Sequence, residues 1–198
     1  MQKFVRTNGP DFLNSKWKAW GNRYHQNRER NASHMFKWPK YKNQSLNRHL
    51  LPFLKALTQD HCSYCDGYPL MSSDHTIDHF GPKSNPLFYD EVCKWENLYV
   101  SCNRCQGAKK EQYDTKLLRP DEETYRFLDY FVYDYTTHRV EINTAASPEQ
   151  QERARITRKI FDFNEPGLLI ARRKAFQRFT RTTDPELDDF DFRFMFEP

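Results

Sequence analysis

Cys62-Ser63-Tyr64-Cys65, then Thr76-Ile77-Asp78-His79-Phe80-Gly81-Pro82-Lys83, then Cys102-Asn103-Arg104-Cys105 is the succession that decides the reading of this chain. Two Cys-x2-Cys pairs with 36 residues between them offer four thiolates, the number a tetrahedral zinc ion takes. Four cysteines in two knuckles have little other reason to recur, so the expectation is one structural zinc on Cys62, Cys65, Cys102 and Cys105. A redox pair is disfavoured, because a thioredoxin-like CxxC stands alone after a strand of a βαβ unit. The spacing is longer than in a compact zinc ribbon and suits a knuckle and a helix N-terminus that share one ion. The remaining cysteine, Cys93, reads as a buried thiol.

The segment between the pairs carries a carboxylate beside an imidazole. Ile77 and Phe80 flank Asp78-His79 as strand-like apolar neighbours, so the two side chains point to opposite faces unless Gly81-Pro82 turns the chain. Phosphodiester hydrolysis needs a cation on the phosphate and a base poised near neutrality. A carboxylate on a metal and an imidazole on a water meet both needs.

Composition narrows the classes. The chain has 198 residues, one domain with substantial arms, and only 37% of them are hydrophobic. Its core must lean on 16 Phe, 11 Tyr and 4 Trp, and a metal staple is a natural supplement. No run approaches the length of a membrane span, and Met1 to Pro10 lacks the apolar stretch of a signal peptide. Free cysteines in CxxC pairs suit a reducing compartment, so the cytoplasm is the expected location. Charge is uneven: residues 1–60 hold 12 Lys and Arg against 3 Asp and Glu, whereas 180–198 hold 2 against 6. The basic arm interleaves Trp17, Trp20, Tyr24, Phe36, Trp38 and Tyr41, which suits a polyanion such as nucleic acid and equally suits a solvated helix face with an aromatic underside.

Outside the cysteine segment, apolar positions Phe12, Leu13, Trp17 and Trp20 predict a helix after Pro10, capped by Asp11 or Asn14. A second helix is expected over 45–58, with Leu46, Leu50, Leu54 and Leu57 on one face and Pro52 as a blemish. Arg126 to Tyr135 and His138 to Asn143 read as two strands around Thr136-Thr137. Ser147-Pro148-Glu149-Gln150 opens a helix to Phe163, Asn164 to Gly167 stops it, and Leu168 to Phe179 is a further basic helix. The acidic, aromatic tail from Asp184 is expected to dock elsewhere rather than join the core.

Taken together, Cys62-Ser-Tyr-Cys65, Ile77-Asp78-His79-Phe80-Gly-Pro82-Lys83-Ser84, Trp95-Glu-Asn97-Leu98 and Ser101-Cys102-Asn-Arg-Cys105-Gln106-Gly-Ala-Lys109 resemble the HNH endonucleases. Within them the chain looks most like the PtuB-type HNH subunit of Septu and related retron anti-phage systems. The resemblance covers residues 61–110, with a weaker echo in Arg155 to Arg173. It implies an α+β fold: a ββα-metal, treble-clef-like core with structural zinc, flanked by N-terminal and C-terminal helices and a short hairpin. The expected organisation is a basic helical arm (1–60), the zinc-stapled nuclease core (61–120), a hairpin and helical part (121–183) and the acidic tail (184–198).

The resemblance further implies that His79 is the general base, that Asp78 ligates a catalytic Mg²⁺ or Mn²⁺, and that Asn97 buttresses the loop carrying His79. Lys83 and Lys109 are implied phosphate contacts. An ABC-type ATPase, PtuA, is the implied partner, with DNA or RNA as substrate. Gln106 departs from the family pattern, which usually has His or Asn there. Its carbonyl can bind a hard cation on a longer, less ordered arm, so either Gln106 completes the catalytic metal site, or Asp74 or His75 does, or the site is attenuated and acts only inside a complex. The rival reading is a zinc module that binds nucleic acid or a partner without cleavage. A third has the aromatic arm and tail serve chiefly as docking surfaces.

Overall fold

The computed structural model describes residues 1–68 and 76–196, and Asp74 and His75 lie outside the described residues. The chain opens with α1 (Asp11–Asn14) and α2 (Trp17–Arg30), a split where the sequence pattern suggests one helix. Neither Asp11 nor Asn14 caps it: Pro10 occupies the cap position, and Asn14 Nδ2 donates instead to the Gly9 carbonyl at 2.7 Å. β1 (Lys40–Tyr41) and β2 (Gln44–Ser45) form a minimal hairpin. Its two turn residues, Lys42 and Asn43, both have positive φ, the backbone twist that joins strands with a two-residue loop. α3 (Leu46–Leu57) buries Leu46, Leu50 and Leu54. Pro52 sits inside it without ending it.

β3 (Thr76–His79) pairs antiparallel with β4 (Leu98–Ser101), placing Ile77 opposite Val100, Asp78 opposite Tyr99 and His79 opposite Leu98. α4 (Asn103–Lys109) follows directly, with Cys102 as its N-cap: Sγ accepts from the Cys105 N–H at 3.5 Å. After β3 the chain turns at Gly81, where a Cβ would come within 2.4 Å of the Phe88 ring. Only glycine allows so close an approach.

The C-terminal half adds α5 (Phe127–Tyr130), β5 (Phe131–Asp134), β6 (Arg139–Ile142), α6 (Pro148–Ile160) and α7 (Pro166–Phe179). The strand expected from Arg126 therefore begins as a helical turn and becomes extended only at Phe131. The hairpin itself forms where expected, and Asp134 closes its turn by accepting from Thr136 N and Thr137 N. Ser147 and Gln150 form a reciprocal capping box with Pro148 in the first turn. Glu165 caps α7 by accepting from Gly167 and Leu168 N–H, so that helix starts two residues earlier than expected.

The tail does not stand apart. Phe190, Phe192, Phe194 and Met195 are buried, and Arg193 forms a buried ion pair with Asp66 just after the first cysteine pair. A buried guanidinium is tolerable only when paired and hydrogen-bonded, and Asp66 accepts from both its Nε and Nη2.

The result is a mixed α+β structure with two hydrophobic clusters on either side of the β3–β4 hairpin. One holds Ile77, Leu98 and Val100 against α1, α2 and α3. The other holds Tyr64, Tyr99, Phe80, α6 and the tail aromatics. Period-two alternation explains the division: neighbouring residues of each strand face opposite clusters.

Candidate metal centre and adjoining cleft

The four cysteines converge as the spacing requires. Their sulfurs all lie within 4.8 Å of one another, and Cys65 Sγ is 3.8 Å from Cys102 Sγ. Sulfurs about 2.3 Å from a tetrahedral zinc stand roughly 3.8 Å apart, so the cage has the right size. Backbone N–H groups of Gly67 and Cys102 donate to Cys65 and Cys62, each at 3.4 Å, and Arg104 reaches Cys105 Sγ at 3.3 Å. Such donors stabilise thiolates and orient them. Hydrogen bonding with Cys102 holds the Cys65 thiol well below its usual range. Cys93 lies apart and buried, and burial pushes its thiol up to about 12.

Asp78 and His79 leave β3 toward opposite clusters, yet both line one cleft of about 220 Å³ together with Pro82, Lys83, Gln106, Lys110 and Glu111. On the knuckle side, Asp78 Oδ2 accepts from the Tyr64 hydroxyl at 2.7 Å and pairs with Lys109 Nζ at 3.1 Å. Oδ1 has no protein partner among the described residues. Burial raises the Asp78 pKa, against the pull of Lys109 and Tyr64.

On the arm side, His79 Nε2 is 2.9 Å from the Val92 carbonyl. A carbonyl can only accept, so Nε2 carries the proton and Nδ1 holds the lone pair. Trp38 stacks on the imidazole, with centroids 5.2 Å apart, and Phe36 meets it edge-on at 5.3 Å. Burial, then the charge of Lys83, lowers the His79 pKa to about 3, well below the near-neutral value the sequence reading expects of a base, so the ring is neutral at physiological pH but a weak proton acceptor.

Asn97 holds the loop after β3. Its Oδ1 accepts from Gly81 N at 2.7 Å, and its Nδ2 donates to the carbonyls of Gly81 and Glu91. Gln106 borders the cleft, and its Oε1 accepts from Thr76 Oγ1 at 2.9 Å. One carbonyl lone pair remains. Lys83 stands at the rim, 3.7 Å from Glu111. Lys109 is placed unlike a surface phosphate contact: it is fully buried, and its ammonium joins Asp78 to the His79 carbonyl at 2.7 Å.

Four contributors escaped the sequence reading: Tyr64, the Val92 carbonyl, and the Phe36 and Trp38 rings. Tyr64 had a signal, since it lies inside the first cysteine pair and must follow that pair into the fold. Val92, Phe36 and Trp38 had none, because nothing local ties them to His79.

No protein-family model matches the chain. The chain is similar to the Septu protein PtuB of Bacillus mycoides (strain KBAB4), with 29% identity over 89 residues, covering 39% of this chain and 29% of that protein. The chain thus spans less than a third of the length of the curated relative it matches. Among the described residues no helix is long and apolar enough to cross a membrane.

Proposed function

We propose that this chain is a metal-dependent HNH-type endonuclease that cleaves nucleic-acid phosphodiester bonds as a subunit of a Septu-like anti-phage complex. The observation that carries the reading is the neutral imidazole of His79: Nε2 is committed to Val92, and the ring shares its cleft with a carboxylate that has one unpartnered oxygen. In this reading Nδ1 takes the proton from the attacking water. Trp38 and the Val92 hydrogen bond fix the ring plane, so the lone pair is oriented before substrate arrives. Lys83 and Lys110 at the rim attract the phosphate.

Asp78 Oδ1 and the free lone pair of Gln106 are hard oxygen donors of the kind Mg²⁺ or Mn²⁺ prefers, so the residues fit such an ion. When bound, it would neutralise the scissile phosphate and the departing oxygen. Lys109 already balances the Asp78 charge, so the protein supplies a weak site that a substrate phosphate must complete. The cysteine cage would hold zinc as a staple and take no part in the chemistry.

The similarity to a Septu protein supports the defence context, and the partner proposed from it is an ABC-type ATPase that gates the nuclease. One observation favours the non-cleaving alternative: Gln106 is already engaged by Thr76. The discriminating experiment incubates the chain, alone and with a candidate ABC-type ATPase partner, with plasmid, single-stranded DNA and total RNA in Mg²⁺ or EDTA. Cleavage in Mg²⁺ that EDTA and His79→Ala both remove supports the nuclease. Binding without cleavage under every condition supports the alternative.

A further inference from the structure

The N-terminal arm contains a groove of about 460 Å³ that the chemistry above does not use. Its cationic side chains are Arg23, Lys37 and Lys40, and among the described residues no carboxylate lines it. All three cations are exposed, and none makes an ion pair, side-chain hydrogen bond or cation–π contact among the described residues. Three positive charges without such a partner thus gather around one concavity.

The groove also holds rings. Trp20 lines it half-buried, and no aromatic ring among the described residues lies in stacking range of its indole. Most of this protein's other large rings are paired. Phe36 forms a second wall and touches the His79 imidazole at 5.3 Å. Tyr24 forms the back and donates to the Lys83 carbonyl at 2.9 Å. The groove and the cleft of Asp78 and His79 thus share their intervening walls. Asn27 and His34, 3.4 Å apart, add polar edges able to donate and accept.

An unstacked ring, free cations, amide-like polar groups and no carboxylate form the chemistry that takes a nucleotide: the base on the indole, the backbone phosphates on the lysines and arginine. The groove is large enough for one nucleotide. We propose that this groove binds an unpaired base of a single-stranded or locally melted nucleic-acid strand, one wall away from His79. The proposal rests on the nuclease reading for its purpose and on the groove alone for its binding chemistry.

The test is fluorescence anisotropy in EDTA, where no cleavage occurs, with labelled oligothymidine and oligouridine of about eight nucleotides and a duplex of equal length. Both single strands should bind at least tenfold more tightly than the duplex at the same salt; a difference between them would assign DNA or RNA. Trp20→Ala should weaken single-strand binding by roughly 5- to 150-fold, the range for loss of one stacked base. Arg23→Ala/Lys37→Ala/Lys40→Ala, confined to exposed positions, should lower the log–log salt slope by about 2. The surface control Arg181→Ala should change neither quantity. Equal affinity for duplex and single strand, or an unchanged salt slope in the triple variant, overturns the proposal. Cleavage is scored separately in Mg²⁺, with the chain alone and with the proposed ATPase partner. Single-strand binding without cleavage sinks the nuclease reading and leaves the groove; cleavage with an unaltered salt slope does the reverse.

Discussion

The Tyr64 hydroxyl donates to Asp78 Oδ2 at 2.7 Å, so a residue inside the first cysteine pair orients the carboxylate of the cleft. Tyr64 is itself fixed by stacking on Phe161, with centroids 4.1 Å apart, and on Tyr99 at 5.7 Å. The cysteine cage and the cleft are thereby coupled through one phenol. Tyr64→Phe keeps the rings and removes only the hydrogen bond. Stability should fall by about 1–3 kcal/mol, the worth of a hydrogen bond to a charged group. Zinc content should hold at one per chain, while Mn²⁺ binding, followed by titration calorimetry, should weaken. Unchanged Mn²⁺ affinity would separate Tyr64 from the cleft.

The cysteine cage should hold one zinc tightly. Structural zinc supplies roughly 10–16 kcal/mol of apparent binding free energy in small modules. Cys102→Ser should therefore unfold the segment around residues 61–110 and also free the tail, because Arg193 docks on Asp66 beside Cys65. Metal analysis and circular dichroism check this. Well-folded protein carrying well under one zinc per chain contradicts it.

His79→Ala should abolish cleavage with zinc content retained. Loss of a general base costs 10²–10⁴-fold, or about 3–5 kcal/mol of barrier. Full activity in the purified variant moves the base elsewhere, with His75 the first residue to substitute.

His79 also makes stability depend on pH. Its folded pKa of about 3 lies below the ordinary value of 6.5, so the folded state binds fewer protons than the unfolded state between those values. Stability is complete above about pH 6.5 and falls as pH drops toward 3. Between pH 7 and 5 the native chain should lose about 2 kcal/mol more than His79→Gln, which cannot titrate. Urea denaturation at both pH values measures the difference, and parallel losses would place His79 in water.

Gln106 is the residue whose role turns on metal dependence. As a ligand, Gln106→Ala should raise the Mg²⁺ requirement, and Gln106→His or Gln106→Asn should preserve or increase activity through a shorter arm. Thr76→Val, which removes the hydroxyl bound to Oε1, tests the competing engagement. A flat metal titration across all four variants would turn attention to Asp74 and His75.

Much of the local design was legible in the sequence. Cys-x2-Cys spacing brings each sulfur pair to one knuckle whatever surrounds it, so both halves of the cage of Cys62, Cys65, Cys102 and Cys105 were legible, although the two pairs meet only on folding. Ser147 with Gln150 announced a helix start because both capping partners lie within one turn. The turn at Gly81 was visible too, and Asn97 Oδ1 accepts from the Gly81 N–H.

Tertiary closure decided the rest. Lys109 looked like a surface cation until a partner 30 residues away along the chain, the His79 carbonyl, came into reach and Asp78 neutralised it. The acidic tail looked separate because Asp66 stands 127 residues from Arg193. Trp38 covers His79 only once α2 and α3 have packed on the β3–β4 hairpin. Residue type and short spacing determine which groups can meet within a turn or a knuckle. Whether a charge is buried, and which ring covers an imidazole, depends on contacts between distant segments, and those exist only after the two clusters have closed around the hairpin.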